Sequence, residues 1–210
     1  MKTTQKAYYQ ALFDVTALLN SERIPRLILR SIVEKVAKAT GAKACSLMLL
    51  TPDRNVLLHT VAYGLSDWYL RKGPVRTDKS IAGALEGKSV AVLNAGEDER
   101  VLYREQAKKE GIASILSVPM RLRGEVVGVV RVYTAKPYRF TRDDINFVET
   151  VANLSSIAME NLRLFDIVQK DYEVFRREML EWRAALGDEW MIEQPVVPAG
   201  EQTSVIPPGG

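Results

Sequence analysis

The chain has 210 residues, 47% of them apolar and 26% charged, with a net charge of +3 and one cysteine; these numbers suit one soluble domain of ordinary size with appendages. The charge is dispersed rather than blocked and makes no case for nucleic acid, while a lone Cys45 excludes an internal disulfide and a cysteine-built zinc site and suits a reducing compartment. The N-terminus lacks the apolar core of a secretion signal and no apolar run approaches the ~18 residues of a membrane span, so a cytoplasmic protein with no membrane contact is expected.

A first helix is expected over residues 4–19, where Tyr8, Leu12, Val15 and Leu19 recur at spacings of four, three and four, as in a coiled-coil seam. Asn20-Ser21 ends it, and Pro25 suits the first turn of a second helix whose stripe is Ile28, Ile32, Val36 and Ala39, closed by Gly41. Residues 43–50 and 56–63 read as strands joined by the turn-rich stretch Thr51-Pro52-Asp53-Arg54-Asn55. A variable middle follows: a helical turn over 67–71, a short helix over 80–85, a brief strand over 89–93, a polar loop over 94–100 and a helix over 101–110 closed by Gly111.

Ile115, Leu116, Val118 and Met120 begin a hairpin that turns at Arg123-Gly124 and returns through Val126 to Tyr133. Pro119 within this strand predicts a bulge. Thr141 is placed as a helix N-cap with Asp144 completing a capping box, and Phe140 and Ile145 form a hydrophobic staple. The order of elements, with consecutive strands joined by short turns, predicts an α+β fold on an antiparallel sheet.

No strong breaker occurs between Thr141 and Gly187, so a final helix of ~45 residues is expected, ~70 Å long at the usual rise. Its first half repeats Ile145, Val148, Val151, Leu154, Ala158 and Leu162. Its second half carries a heptad seam of Val168, Tyr172, Phe175, Met179, Trp182 and Leu186, with a phase change after Phe165. The seam either folds back on its own domain or forms a dimer interface; an exposed aromatic row of this size favours the dimer. Residues 188–210 carry four prolines and read as a disordered tail.

Several short stretches together resemble GAF domains: Thr40-Gly41-Ala42, Ala62-Tyr63-Gly64-Leu65, Ser117-Val118-Pro119-Met120, the turn Arg123-Gly124, Val127-Gly128-Val129, Phe140-Thr141-x-Asp143-Asp144 and Ala158-Met159-Glu160-Asn161. The resemblance covers about residues 21–165, flanked by the helix of residues 1–20 and the long helix of 141–187. It implies a PAS-related, GAF-like antiparallel sheet of five or six strands between helices. One face would be packed by the second and last helices, and the other roofed by the variable middle around a small-molecule pocket. It also implies a sensory or regulatory module, dimeric through its terminal helices. With only a helix and a tail expected after the domain, output is expected in trans, through a histidine kinase or another signalling protein, or by oligomerisation.

Family chemistries that need particular residues lose support here. Reduction of free methionine sulfoxide needs a thiolate with a resolving partner, and Cys45 is alone in an apolar strand. His59, the single histidine, reads as structural or surface rather than as a haem ligand. No cysteine in the variable middle offers a bilin attachment, and the Asn-Lys-Phe-Asp type motif of cyclic-nucleotide binders is absent. No cofactor and no metal are expected. The expectation is a non-enzymatic sensor; a ligand-free dimerisation scaffold and, less favoured, a sulfoxide-reductase-like enzyme are the alternatives.

Candidate ligand-binding residues are Tyr63, Trp68, Tyr69, Ile81, Asn94, Tyr103, Ser114 and Arg131, with Ser80 beside them. Arg131 interrupts an apolar strand and alternates with Val130 and Val132, which aims it at the roofed face. There it either holds an anion bidentately or pairs with an acid such as Glu97 or Asp98. Trp68 and Tyr103 would be apolar walls.

Overall fold

The computed structural model describes residues 2–19, 25–76 and 82–186. Residues 188–210, Ser80 and Ile81 lie outside the described residues. The elements in order are α1 (Lys2–Leu19), α2 (Pro25–Thr40), β1 (Ala44–Leu50), β2 (Val56–Tyr63), α3 (Asp67–Leu70), β3 (Val75–Arg76), α4 (Ala82–Leu85), β4 (Val90–Val92), α5 (Arg104–Glu110), β5 (Ser114–Leu122), β6 (Glu125–Thr134) and α6 (Arg142–Leu186). They fall into two compact units, Met1–Phe165 and Asp166–Gly210, and α6 contributes its two halves to them. No helix of the described residues is long and apolar enough to cross a membrane.

The first unit is an α+β fold built on one six-stranded sheet in the order β3-β2-β1-β6-β5-β4, with every pairing antiparallel. The hairpin β5–β6 turns where expected. Arg123 and Gly124 both have positive φ, 52° and 89°, the type I′ geometry whose twist matches that of the strands it joins. The bulge of this hairpin falls between Met120 and Arg121, one step past Pro119. Proline is tolerated where it sits because β4 pairs only with Ile115–Ser117, which leaves β5 an edge beyond Ser117.

One face of the sheet packs against helices. Leu47, Leu116, Val118, Val130 and Val132 meet Leu29, Ile32 and Val36 of α2 and Val148 and Val151 of α6. α6 begins with the expected capping box: Thr141 N–H donates to the Asp144 carboxylate at 2.7 Å, and Asp144 N–H donates to Thr141 Oγ1 at 3.2 Å.

α1 departs from expectation. Tyr8 and Val15 are buried in the same core as α2 and α6, so this part of its seam is occupied within the chain, and Tyr9 and Phe13 form its exposed side. The Tyr8 ring stacks on Phe147 with centroids 4.3 Å apart, its hydroxyl donates to Asp144, and Lys35 of α2 pairs with Asp14 at 2.6 Å. Heptad-like spacing reports which side of a helix is buried, not which partner buries it.

In the second unit the half of α6 beyond Phe165 is helical to Leu186, and Val168, Tyr172, Phe175, Met179 and Trp182 are all exposed.

Candidate functional site

The opposite face of the sheet lies under the variable middle. Two apolar clusters fill it. In one, Tyr69, Val101 and Ala107 pack over Ala44, Ile115 and Tyr133; in the other, Val75 and Ala84 pack over Met48, Leu57 and Val129. The floor also holds a polar row. Ser46, Arg131 and Ser117 are directly opposite one another on β1, β6 and β5, and all three are buried. Arg131 Nε donates to Ser117 Oγ at 3.0 Å, and Ser46 Oγ lies 3.0 Å from the Tyr133 hydroxyl. The Tyr133 ring meets Tyr69 edge-on, 6.3 Å between centroids.

A second basic group reaches this region from the roof. Ser66 caps α3 by accepting from Tyr69 N–H at 3.1 Å, while its own N–H and hydroxyl donate to the Glu110 carboxylate at the end of α5. That ties α3 to α5 and places Lys72 just past the helix. Lys72 Nζ stands 3.8 Å over the Tyr69 ring, an attractive cation–π geometry. It also lies 3.2 Å from His59 Nε2 and donates to the Tyr69 carbonyl at 3.2 Å.

Burial, followed by the positive charge of Arg131, pushes the Lys72 ammonium down to about 8, with Glu110 opposing in part. Burial, followed by Lys72 and Arg131, pushes His59 down to about 3, so the imidazole is neutral at pH 7. Because Nε2 accepts from Lys72, the ring proton sits on Nδ1. That buried nitrogen has no hydrogen-bond partner, an uncommon condition with a real free-energy cost. Lys72 also lines an open cleft of about 500 Å³ with Asp67, Trp68, Arg71 and Gln106.

Arg131 faces the roof, as the strand alternation predicts. Tyr69 is buried there, and Tyr103 packs beside Met48 and Val129 with its hydroxyl donating to the Pro74 carbonyl at 2.9 Å. The acids considered as partners for Arg131 are engaged elsewhere: Asp98 binds Arg100 and Glu97 accepts from Asn94.

Four other candidates are placed differently. Tyr63 packs into the helix-side core. Asn94 is exposed in the loop, donating to Glu97 at 2.7 Å. Ser114 Oγ donates to the Leu93 carbonyl at 2.6 Å and accepts from Tyr138 N–H at 2.9 Å, which leaves its hydroxyl engaged with backbone. Trp68 lines the outer cleft, where Lys109 stacks on its indole at 4.6 Å, rather than the buried wall.

Beside these candidates the structure brings His59, expected to be structural or at the surface, together with Lys72, Ser46, Ser117 and Tyr133 under the roof. Tyr63 and His59 are an even number of residues apart, and a regular strand would put both on one face. The β1–β2 register shifts between Leu47 and Met48, so Val61 and Tyr63 face the helices while Leu57 and His59 face the roof. One inserted residue reverses the facing.

Lys72 carries a stability cost that can be measured. Its folded value is below its unfolded value, so the penalty is full below about pH 8 and disappears as pH rises toward the ordinary lysine value. Lys72→Met should therefore raise stability at pH 7 by about 1–2 kcal/mol after allowance for solvent screening, and the gain should vanish near pH 10.5. Thermal melts of both proteins at the two pH values check this; a variant less stable at pH 7 contradicts it.

Helices thus cover one face of an antiparallel sheet and the variable middle roofs the other, over a buried polar row. The family model for the GAF domain matches residues 25–159, and the chain belongs to that family. Among curated relatives it is similar to the Nif-specific regulatory protein of Azospirillum lipoferum, 25% identical over 185 residues that make up 84% of this chain and 30% of that protein. The chain thus spans less than a third of that relative's length. Among solved structures, the GAF domain from a phosphoenolpyruvate-protein phosphotransferase (ptsP) of Coxiella burnetii matches with a TM-score of 0.69 at 16% identity, covering 77% of this chain and 98% of that one. The free methionine-R-sulfoxide reductase from Neisseria meningitidis, in complex with its substrate, matches with a TM-score of 0.63 at 16% identity, covering 76% and 93%. These two likenesses concern the fold. In this chain the thiol of Cys45 is fully buried in the helix-side core and pushed up by that burial, the reverse of what a nucleophilic thiol needs.

Proposed function

We propose that the module senses a small anionic metabolite on the roofed face of its sheet. Arg131 and Lys72 would hold the anion, His59 Nδ1–H would donate to it, and Tyr69 and Tyr103 would wall it. The observation that carries this reading is the convergence on one buried face of two basic side chains and an imidazole donor without an acceptor. An anion there would offset the mutual repulsion that lowers Lys72 and would satisfy the Nδ1 proton. The output in this reading is self-association through the second half of α6, read by a signalling partner in trans such as a histidine kinase, in the cytoplasm.

The test is calorimetric titration of the wild type, Arg131→Gln and Lys72→Met with a panel of mono- and dicarboxylates, inorganic phosphate and nucleotides. A charge-assisted hydrogen bond contributes about 1.5–3 kcal/mol, so each variant should bind the responding compound roughly 10- to 100-fold more weakly. Binding should take up protons at pH 8 and weaken above it, because the bound anion raises the Lys72 value. Unchanged affinity in both variants refutes the site. No binding across the panel, with self-association intact, favours the scaffold alternative.

A further inference from the structure

We propose that Lys72 is a covalent capture site, whose amine forms a reversible imine with a small oxo carboxylate while Arg131 holds the carboxylate group. The inference rests on the anion reading above and names the chemical class of the anion.

The surroundings of Lys72 Nζ come from four elements. His59 Nε2 of β2 and the Tyr69 carbonyl of α3 both accept from it at 3.2 Å. The Tyr69 ring lies 3.8 Å away and the Tyr103 ring 5.7 Å away. Arg131 of β6 repels its charge, and Glu110 of α5 opposes that in part, with its carboxylate given to Ser66 and Lys43. Among the described residues no carboxylate pairs with Lys72. The side chain is half-buried and reachable, since it lines the cleft of about 500 Å³ together with Asp67, Trp68, Arg71 and Gln106. That space admits an acid of a few carbon atoms.

An ordinary lysine is a poor nucleophile at neutral pH because its amine is protonated; desolvation or a second cation nearby removes that obstacle. Lys72 has both. At pH 7 about one Lys72 in ten is a neutral amine, against fewer than about one in a thousand for a lysine at the ordinary value.

The step balances without a further reactant. The Nζ lone pair attacks the carbonyl carbon, the C–N bond forms, and the carbonyl π pair moves to oxygen. The proton shed by nitrogen passes through His59 Nε2 to that oxygen. The remaining nitrogen pair then expels the hydroxyl, which takes one proton from solvent and leaves as water, and a protonated imine results. Its single N–H can stay on His59 Nε2 and its positive charge stays by the Tyr69 ring. The carboxylate meanwhile sets a negative charge against Arg131, so the product keeps the contacts of the ammonium and offsets the repulsion.

The test treats the full chain at pH 7 with pyruvate or levulinate and sodium cyanoborohydride, which reduces a protonated imine to a stable secondary amine. Peptide mass spectrometry then locates the modified lysine. Lys72 should carry at least about ten-fold more label than any other lysine. Arg131→Gln should cut labelling of Lys72 by both acids about ten-fold and leave its labelling by uncharged acetaldehyde no lower. Lys72→Arg keeps the cation without a nucleophilic amine, so it should still bind the acids in calorimetry and lose the excess label. Label spread over the lysines according to their exposure overturns the proposal; carboxylate binding by the same protein then leaves the anion reading standing. Strong labelling of Lys72 that Arg131→Gln does not reduce upholds the imine and overturns the anion reading at Arg131.

Discussion

Asp144→Ala should lower the stability of the domain by about 2–4 kcal/mol. This carboxylate is only 3% exposed and holds three parts of the chain together. It accepts from the Tyr8 hydroxyl of α1, from the Tyr138 hydroxyl at 2.9 Å and from Thr141 N–H at 2.7 Å. Its removal leaves the buried Tyr8 hydroxyl without an acceptor, opens the capping box of α6 and removes the polar tie of α1 at the Tyr8–Phe147 stack. Tyr8→Phe keeps the stack and deletes one hydrogen bond to a carboxylate, so it should cost less than Asp144→Ala, about 1.5–3 kcal/mol.

Burial raises Asp144, but its hydrogen bonds outweigh burial and hold it below the ordinary aspartate range. The stabilisation is therefore complete above the unfolded value, about pH 4, and is lost as pH falls through the depressed folded value. Urea denaturation of wild type and both variants at pH 7 measures the costs. An Asp144→Ala protein within about 0.5 kcal/mol of wild type contradicts the account.

Gly128→Val should be at least as damaging, about 3 kcal/mol or more. A Cβ at Gly128 would collide with the Met48 carbonyl oxygen and press on Leu49 of β1, its antiparallel neighbour. Backbone cannot yield there without parting two central strands. Gly124 makes the contrast: a Cβ there meets nothing within 4 Å, and only its φ of 89° resists a side chain, so Gly124→Ala should cost about 1 kcal/mol. Denaturant midpoints rank the two, and an equal or reversed ranking contradicts the close-approach argument.

Much of this arrangement was legible before any coordinates. The I′ turn at Arg123-Gly124, the capping box from Thr141 to Asp144 and the alternation that aims Arg131 at the roof depend on residues adjacent in sequence. Local sterics and hydrogen bonding decide them, so the residue types suffice. The antiparallel α+β class and the GAF resemblance followed because several such local devices occur in a fixed order.

What lay beyond the sequence was decided by register and by contacts between distant segments. Hairpin counting from the turn pairs Leu122 with Glu125 and would set Ser117 opposite Val130. The bulge after Met120 moves it to Arg131 and completes the polar row. The irregularity in the β1–β2 pairing turns His59 toward the roof and Tyr63 toward the helices. Lys72 meets His59 only because Ser66, Tyr69 and Glu110 hold the end of α3 there, and Tyr8 finds Asp144 across 136 residues. Apolar spacing alone can say that a face is buried; which segment buries it depends on how the chain closes in three dimensions.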